Sequence, residues 1–87
     1  MHEIPVTLPD VLSADEAIVF GQWLVDNGAV VMSGERVAEV LSAGVLVYVA
    51  APAEGRLIRA NIMPGTPLTI AATLGTIHAR DEESAGE

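Results

Sequence analysis

The sequence predicts an all-β fold: a β-barrel or sandwich of two pseudo-symmetric four-stranded sheets. Three observations predict it. Apolar segments of three to seven residues recur along the chain, and no stretch of ten shows helical periodicity. Turn-forming groups separate these segments, among them Asp26-Asn27-Gly28, Ser33-Gly34-Glu35, Ser42-Ala43-Gly44 and Met63-Pro64-Gly65. A third signal is an internal repeat. Gly28, Val31, Gly34, Val37 and Val40 are echoed 37 residues later by Gly65, Leu68, Ala71, Leu74 and Ile77. Gly or Ala recurs where the backbone turns, and an aliphatic residue where it returns to the core. Two similar half-sheets around a pseudo-twofold axis follow. Parallel βαβ units are excluded for lack of helices.

The elements read in order. Met1 to Leu12 alternates in part, with Ile4, Val6 and Leu8 on one parity. Pro5 and Pro9 mark it as an edge strand ending near Asp10. Ser13-Ala14-Asp15-Glu16 resembles a capping sequence, but only Ala17 to Phe20 follow before Gly21, so a loop or a single turn is expected. Ala17 to Val25 is a strand that carries Trp23. Asn27-Gly28 is a strong turn pair, since both residues tolerate positive φ. Val30 to Met32 is a short strand. Arg36 to Leu41 is another, with Val37 and Glu39 facing one way and Ala38 and Val40 the other. Val45 to Ala50 is the most β-prone segment, closed by Ala51 to Gly55. Leu57 to Ile62, Leu68 to Ile70 and Leu74 to His78 complete the set. The domain is expected to span residues 1–80, followed by a disordered acidic tail at 81–87.

Composition excludes several function classes. The chain of 87 residues has a net charge of −8, and an acidic surface repels phosphate backbones and anionic headgroups. Neither nucleic-acid nor membrane association is expected; a basic protein partner would suit the charge better. There is no cysteine, so disulfides, thiolate metal sites and thiol nucleophiles are ruled out. No apolar run reaches the roughly 20 residues of a helical span. The N-terminus carries Glu3 and Pro5 and no basic region, so a secretory signal is not expected and the cytoplasm is the default location. The basic residues are Arg36, Arg56, Arg59 and Arg80; there is no lysine.

At this level of detail the sequence resembles the lipoyl and biotinyl carrier domains of 2-oxoacid dehydrogenase acyltransferases and biotin-dependent carboxylases. The resemblance covers roughly Ile4 to Ala79. It rests on Trp23-Leu24-Val25 followed by Gly28, on Gly34, and on Glu39-Val40 leading into a hairpin. It continues with Val47, Val49, Ala51-Pro52 and Gly55 on the way out, and with Ile62, Gly65 and Leu68 in the second half. The resemblance implies a flattened barrel with a lysine at a hairpin tip. Lipoyl domains read Glu-Thr-Asp-Lys there, and biotinyl domains Met-Lys-Met. Here those places hold Leu41, Ser42, Ala43 and Gly44. An amide to lipoate or biotin needs an amine nucleophile, and Gly44 offers none. The acidic neighbour of the lysine is Ala43. Ala29 and Thr66 replace the family's aspartates after the turn glycines.

The expected function is therefore non-catalytic: a degenerate lipoyl-like domain with no cofactor, acting as a structural or protein-interaction module. The alternative is a carrier domain of a 2-oxoacid dehydrogenase or carboxylase whose lysine was lost at Gly44. A dehydrogenase or carboxylase subunit is the natural partner under either reading. Val45 to Val49 is apolar on both faces, so Val45, Leu46 and Tyr48 are candidate contact residues for a partner or a second copy. Other groupings read as structural. His2 and His78 have no i, i+4 pairing and are read as exposed rather than metal-binding. Asp15-Glu16 and Asp81-Glu82-Glu83 are read as solvated charge. Ser13, Ser33 and Ser42 have no evident base. Trp23 is expected in the core or at its rim, with its N–H on a backbone carbonyl.

Overall fold

The computed structural model describes residues 2–79. Eight strands make two four-stranded antiparallel sheets: β1 (His2–Thr7), β2 (Ile18–Trp23), β3 (Val30–Val31), β4 (Arg36–Ser42), β5 (Val45–Ala50), β6 (Gly55–Arg59), β7 (Pro67–Leu68) and β8 (Thr73–Ala79). One sheet has the order β1-β8-β6-β3 and the other β5-β4-β2-β7. The all-β sandwich read from the sequence is therefore the fold. Among the described residues no helix is long and apolar enough to cross a membrane.

The two sheets are related by a shift of four strands. β1 takes the place of β5, β8 of β4, β6 of β2 and β3 of β7. The repeat in the sequence is the same relation: β2 and β6 start at Ile18 and Gly55, β3 and β7 at Val30 and Pro67, and β4 and β8 at Arg36 and Thr73. Only the connection after the first strand of each half breaks the match. Leu8 to Ala17 is longer than Ala51 to Glu54, so the β1–β2 loop is an insertion in one half.

Each half sends its glycine turn across to the other. Phe20 N donates to Thr66 O (2.8 Å) and Gly65 N to Phe20 O (2.7 Å). The mirror pair is Leu57 N to Ala29 O (2.9 Å) and Gly28 N to Leu57 O (2.7 Å). Gly28 and Gly65 hold φ of 89° and 87°, a left-handed conformation that suits glycine. The side chains of Phe20 and Leu57 are fully buried between the sheets with Val6, Val31, Val37, Val40, Val49, Leu74 and Ile77.

One expectation fails in an informative way. Strict alternation in β4 would put Val37 and Ala38 on opposite faces, yet both are fully buried. Arg36 pairs with Ala50 and Ala38 with Val49, so Val37 is an extra residue on its strand. Such a β-bulge lets neighbouring residues turn inward together. Leu74 is its counterpart in β8, where Val6 pairs with Gly75 and Thr7 with Thr73. The last strands also differ in extent. β6 ends at Arg59 rather than Ile62: Ala60 N still reaches Leu74 O of β8 (3.0 Å), but Ile62 N then closes a tight turn on Ala60 O (3.0 Å). β7 is cut to Pro67–Leu68, since Ala72 N closes a turn on Thr69 O (3.0 Å). β1 does lie at a sheet edge, as Pro5 implies, but it ends at Thr7 rather than near Asp10, ahead of Pro9. The proposed tail at 81–87 lies outside the described residues.

Gly21 is the unpaired residue of a third bulge, between Phe20–Val40 and Gln22–Glu39. A Cβ at this position would sit 2.8 Å from the Glu39 carbonyl oxygen. Backbone cannot yield as a flexible side chain does. Gly21→Ala is thus expected to destabilise the fold by about 1–3 kcal/mol. Urea unfolding checks this: the midpoint falls while the slope stays the same.

Candidate functional site

The hairpin between β4 and β5 is the site that the sequence singles out. Ser42 pairs with Val45, which leaves Ala43 and Gly44 as a two-residue loop. Their φ values are 52° and 80°. Two successive positive φ angles make a type I′ turn, whose twist matches that of the flanking strands. Gly44 meets this demand without strain, whereas Ala43 places a Cβ in left-handed space at a cost of about 1 kcal/mol. A Cβ on Gly44 would meet nothing within 4 Å. The tip is sterically open and chemically bare.

Behind the tip the hairpin is tied down. Ser42 is 4% exposed, and its hydroxyl donates to Glu16 Oε1 at 3.2 Å. Ala43 N donates to Ala17 O at 3.1 Å. The inserted β1–β2 loop is thus fastened to the base of the turn. This role of Ser42 and Glu16 is not legible in the sequence, where Glu16 reads as half of a capping box with Ser13. The structure has the expected loop with a single turn there, and no capping box forms. Ser13 Oγ accepts from Asp15 N (3.1 Å) in a local turn, and the Glu16 carboxylate reaches Ser42 across 26 positions of sequence.

The three candidate contact residues lie on β5 beside the tip. Val45 is 63% exposed, Leu46 45% and Tyr48 40%. β5 is an edge strand, with β4 on one side only. Val49 alone on this strand is fully buried, and Val47 is half-buried. The inward face thus fills the core only near its end, and the hairpin stands out from the body. Arg36 lays its guanidinium over the Tyr48 ring at 4.2 Å. Leu41 and Leu46 pair across the strands and are both partly exposed.

The other groupings separate. Glu3 pairs with His78 and His2 with Ala79, so the histidines leave opposite faces of the sheet. His78 Nε2 is 3.9 Å from Glu3 Oε2. Among the described residues there is no group of three His, Asp or Glu side chains placed to hold a metal. Asp15 and Glu16 are exposed on the β1–β2 loop, and Asp81 to Glu83 lie outside the described residues. Trp23 is half-buried, tilted against Phe20 with ring centroids 5.5 Å apart. Its Nε1 is buried without a hydrogen-bond partner, contrary to the expectation of a backbone carbonyl. The carbonyl of Val25 accepts from Arg59 Nη1 (3.2 Å), and that guanidinium lies 5.5 Å from the indole centroid. Arg59 N donates to Asn27 Oδ1 (2.8 Å) and Arg56 Nη1 to Gly28 O, so both arginines of β6 clamp the β2–β3 turn.

Among solved structures the chain is similar to a single-chain, multi-domain long-chain acyl-CoA carboxylase, with a TM-score of 0.56 and 19% identity. The match covers 93% of this chain and spans 8% of that one. At this identity the likeness establishes a shared fold. No family model matches the chain, and no curated protein sequence matches it.

Two substitutions test the site's construction. Ser42→Ala leaves the loop unfastened and is expected to destabilise the domain by about 1–3 kcal/mol. Faster proteolysis within residues 9–16 and a lower melting temperature would register it. Ala43→Asn replaces a strained residue by one that tolerates positive φ, and should stabilise by about 0.5–1 kcal/mol. A raised melting temperature is the check.

Proposed function

We propose that this chain is a non-catalytic, carrier-like domain that holds neither lipoate nor biotin and acts as a structural or protein-contact module. One observation carries the reading. The two-residue turn that corresponds to the attachment tip is Ala43-Gly44, and the chain has no lysine to take its place. Acylation at the tip requires a primary amine on a side chain, and the tip has only a methyl group and a hydrogen.

The fold shared with part of a multi-domain carboxylase supports a carrier-like ancestry. It is also compatible with a place beside a carboxylase subunit; a dehydrogenase subunit as partner rests on the sequence resemblance alone. The unit is residues 1–80, with 81–87 as an acidic extension. Catalysis in its own right is disfavoured by the chemistry available. The Ser42 hydroxyl is engaged by Glu16, and His78 lies 3.9 Å from Glu3, beyond hydrogen-bond distance. The pseudo-twofold axis relates the tip to the paired ends His2 and Ala79, so serine and histidine stand on opposite sides of it.

The second reading, a carrier that lost its lysine at Gly44, has one observation in its favour. A Cβ on Gly44 would meet nothing within 4 Å, so no clash bars a side chain there, although the φ of 80° strains any residue but glycine. Intact mass separates the two. The unaltered chain, co-expressed with lipoate ligase or biotin ligase, is expected to keep its bare mass; an adduct would overturn the proposal. Gly44→Lys is expected to stay largely unmodified, because Leu41 and Ala43 remove the polar and acidic residues that flank a carrier lysine. Full modification of this variant would mean that the recognition surface survives, and would favour the second reading.

A further inference from the structure

We propose that β5 is a self-association edge, along which two copies of this chain pair antiparallel into one continuous sheet. This does not rest on the attachment chemistry. It rests on a contrast among the four sheet edges, β1, β3, β5 and β7. Exposed edges invite pairing and are ordinarily blunted by proline, charge or shortness. β1 carries Glu3 and Pro5. β3 and β7 have 2 residues each, and β7 begins with Pro67. β5 has 6 residues, VLVYVA, with no charge and no proline.

Charge points to a second copy as the occupant. Two chains that each carry −8 repel one another over most of their surfaces. From Val40 to Ala53 there is no charged side chain at all. The charges that border Tyr48 are Arg36, over its ring, and Glu39, its partner across the strands; they are of opposite sign. β5 is thus an edge along which like-charged copies can meet without facing like charges.

The register is also self-complementary. Ser42–Val45 flanks a two-residue turn and is a hydrogen-bonded pair, so pairs alternate outward from it. Leu41–Leu46 and Glu39–Tyr48 are the pairs that do not share hydrogen bonds. The N–H and C=O groups of Leu46 and Tyr48 therefore point away from β4, to the open edge. Placing Val47 on a twofold axis sets Leu46 against Tyr48 of the second copy, and Tyr48 against its Leu46. Both pairs then exchange N–H···O bonds in both directions. On one face leucine packs on tyrosine; on the other, valine packs on valine.

Sedimentation equilibrium of the full chain, over a range of concentration and salt, tests this. The expected result is a reversible shift from 9.1 kDa towards twice that mass, strengthened by salt as it screens the −8 on each copy. Leu46→Lys and Tyr48→Lys, at exposed positions, should each weaken the dimer at least about tenfold with an unchanged β-type circular dichroism spectrum. The chain has no cysteine, so Val47→Cys gives an independent readout. On the axis it falls at a pair spacing of about 4.5–5.5 Å between Cβ atoms, and mild oxidation should cross-link it. Met32→Cys, exposed on another part of the surface, should not cross-link at the same rate. A 9.1 kDa mass at every concentration and salt overturns the proposal, including the case in which the edge serves a different protein. So does a dimer indifferent to both lysine variants, or Val47→Cys that cross-links no faster than Met32→Cys.

Discussion

The structure depends on the exchange of two glycine turns. Gly28-Ala29 closes on Leu57, and Gly65-Thr66 closes on Phe20, each through a reciprocal pair of backbone hydrogen bonds. Because the short strand after each turn joins the opposite sheet, neither half can bury its apolar face alone. Phe20 and Leu57 sit at the crossing points, at equivalent places in the two halves, and both are fully buried. The left-handed glycines are what let the chain reverse sharply enough to make the exchange. The aliphatic core, with Phe20 its one fully buried aromatic, then fills the thin space between the sheets.

Pseudo-symmetry also explains where the domain is free to vary. Three strands of each half keep a common spacing, and the extra length falls in the β1–β2 loop. That loop buries Leu8 and Leu12 in the core and is tied to the base of the β4–β5 hairpin through Glu16 and Ala17. The hairpin is held from behind and bare in front. A tip with one strained alanine and one glycine is shaped by the demands of a type I′ turn rather than by chemistry at its surface. The apolar edge beside it is the more distinctive surface, because the other three edges are short or interrupted by proline and charge.

Much of this was legible beforehand for a physical reason. Turns depend on local φ angles, and Asn27-Gly28, Ala43-Gly44 and Pro64-Gly65 announce them locally. The repeat of Gly and aliphatic residues foretold two equivalent halves, and Val45 to Ala50 foretold a strand with the bounds that it has. The bare tip was legible as well, since the absence of lysine needs no coordinates. What escaped were features set by register. The bulges that turn Val37 and Leu74 inward depend on how two strands slide past each other. The Ser42–Glu16 bond and the Arg59 contacts with Val25 and Asn27 join residues far apart in sequence. Trp23 Nε1 misses an acceptor because of what packs around it, which no single-residue preference foresees.

The sequence by itself determined the β class, the turn positions, the twofold character and the lack of an amine for acylation. Each follows from local backbone preference or from the mere presence of a residue type. Tertiary structure alone decided which strands share a sheet, which edge stays open, and that Glu16 secures the hairpin through Ser42. Those outcomes arise because the halves exchange strands across the pseudo-twofold axis. The partner of each residue is then set by the register of a distant segment, which only the folded chain brings into contact.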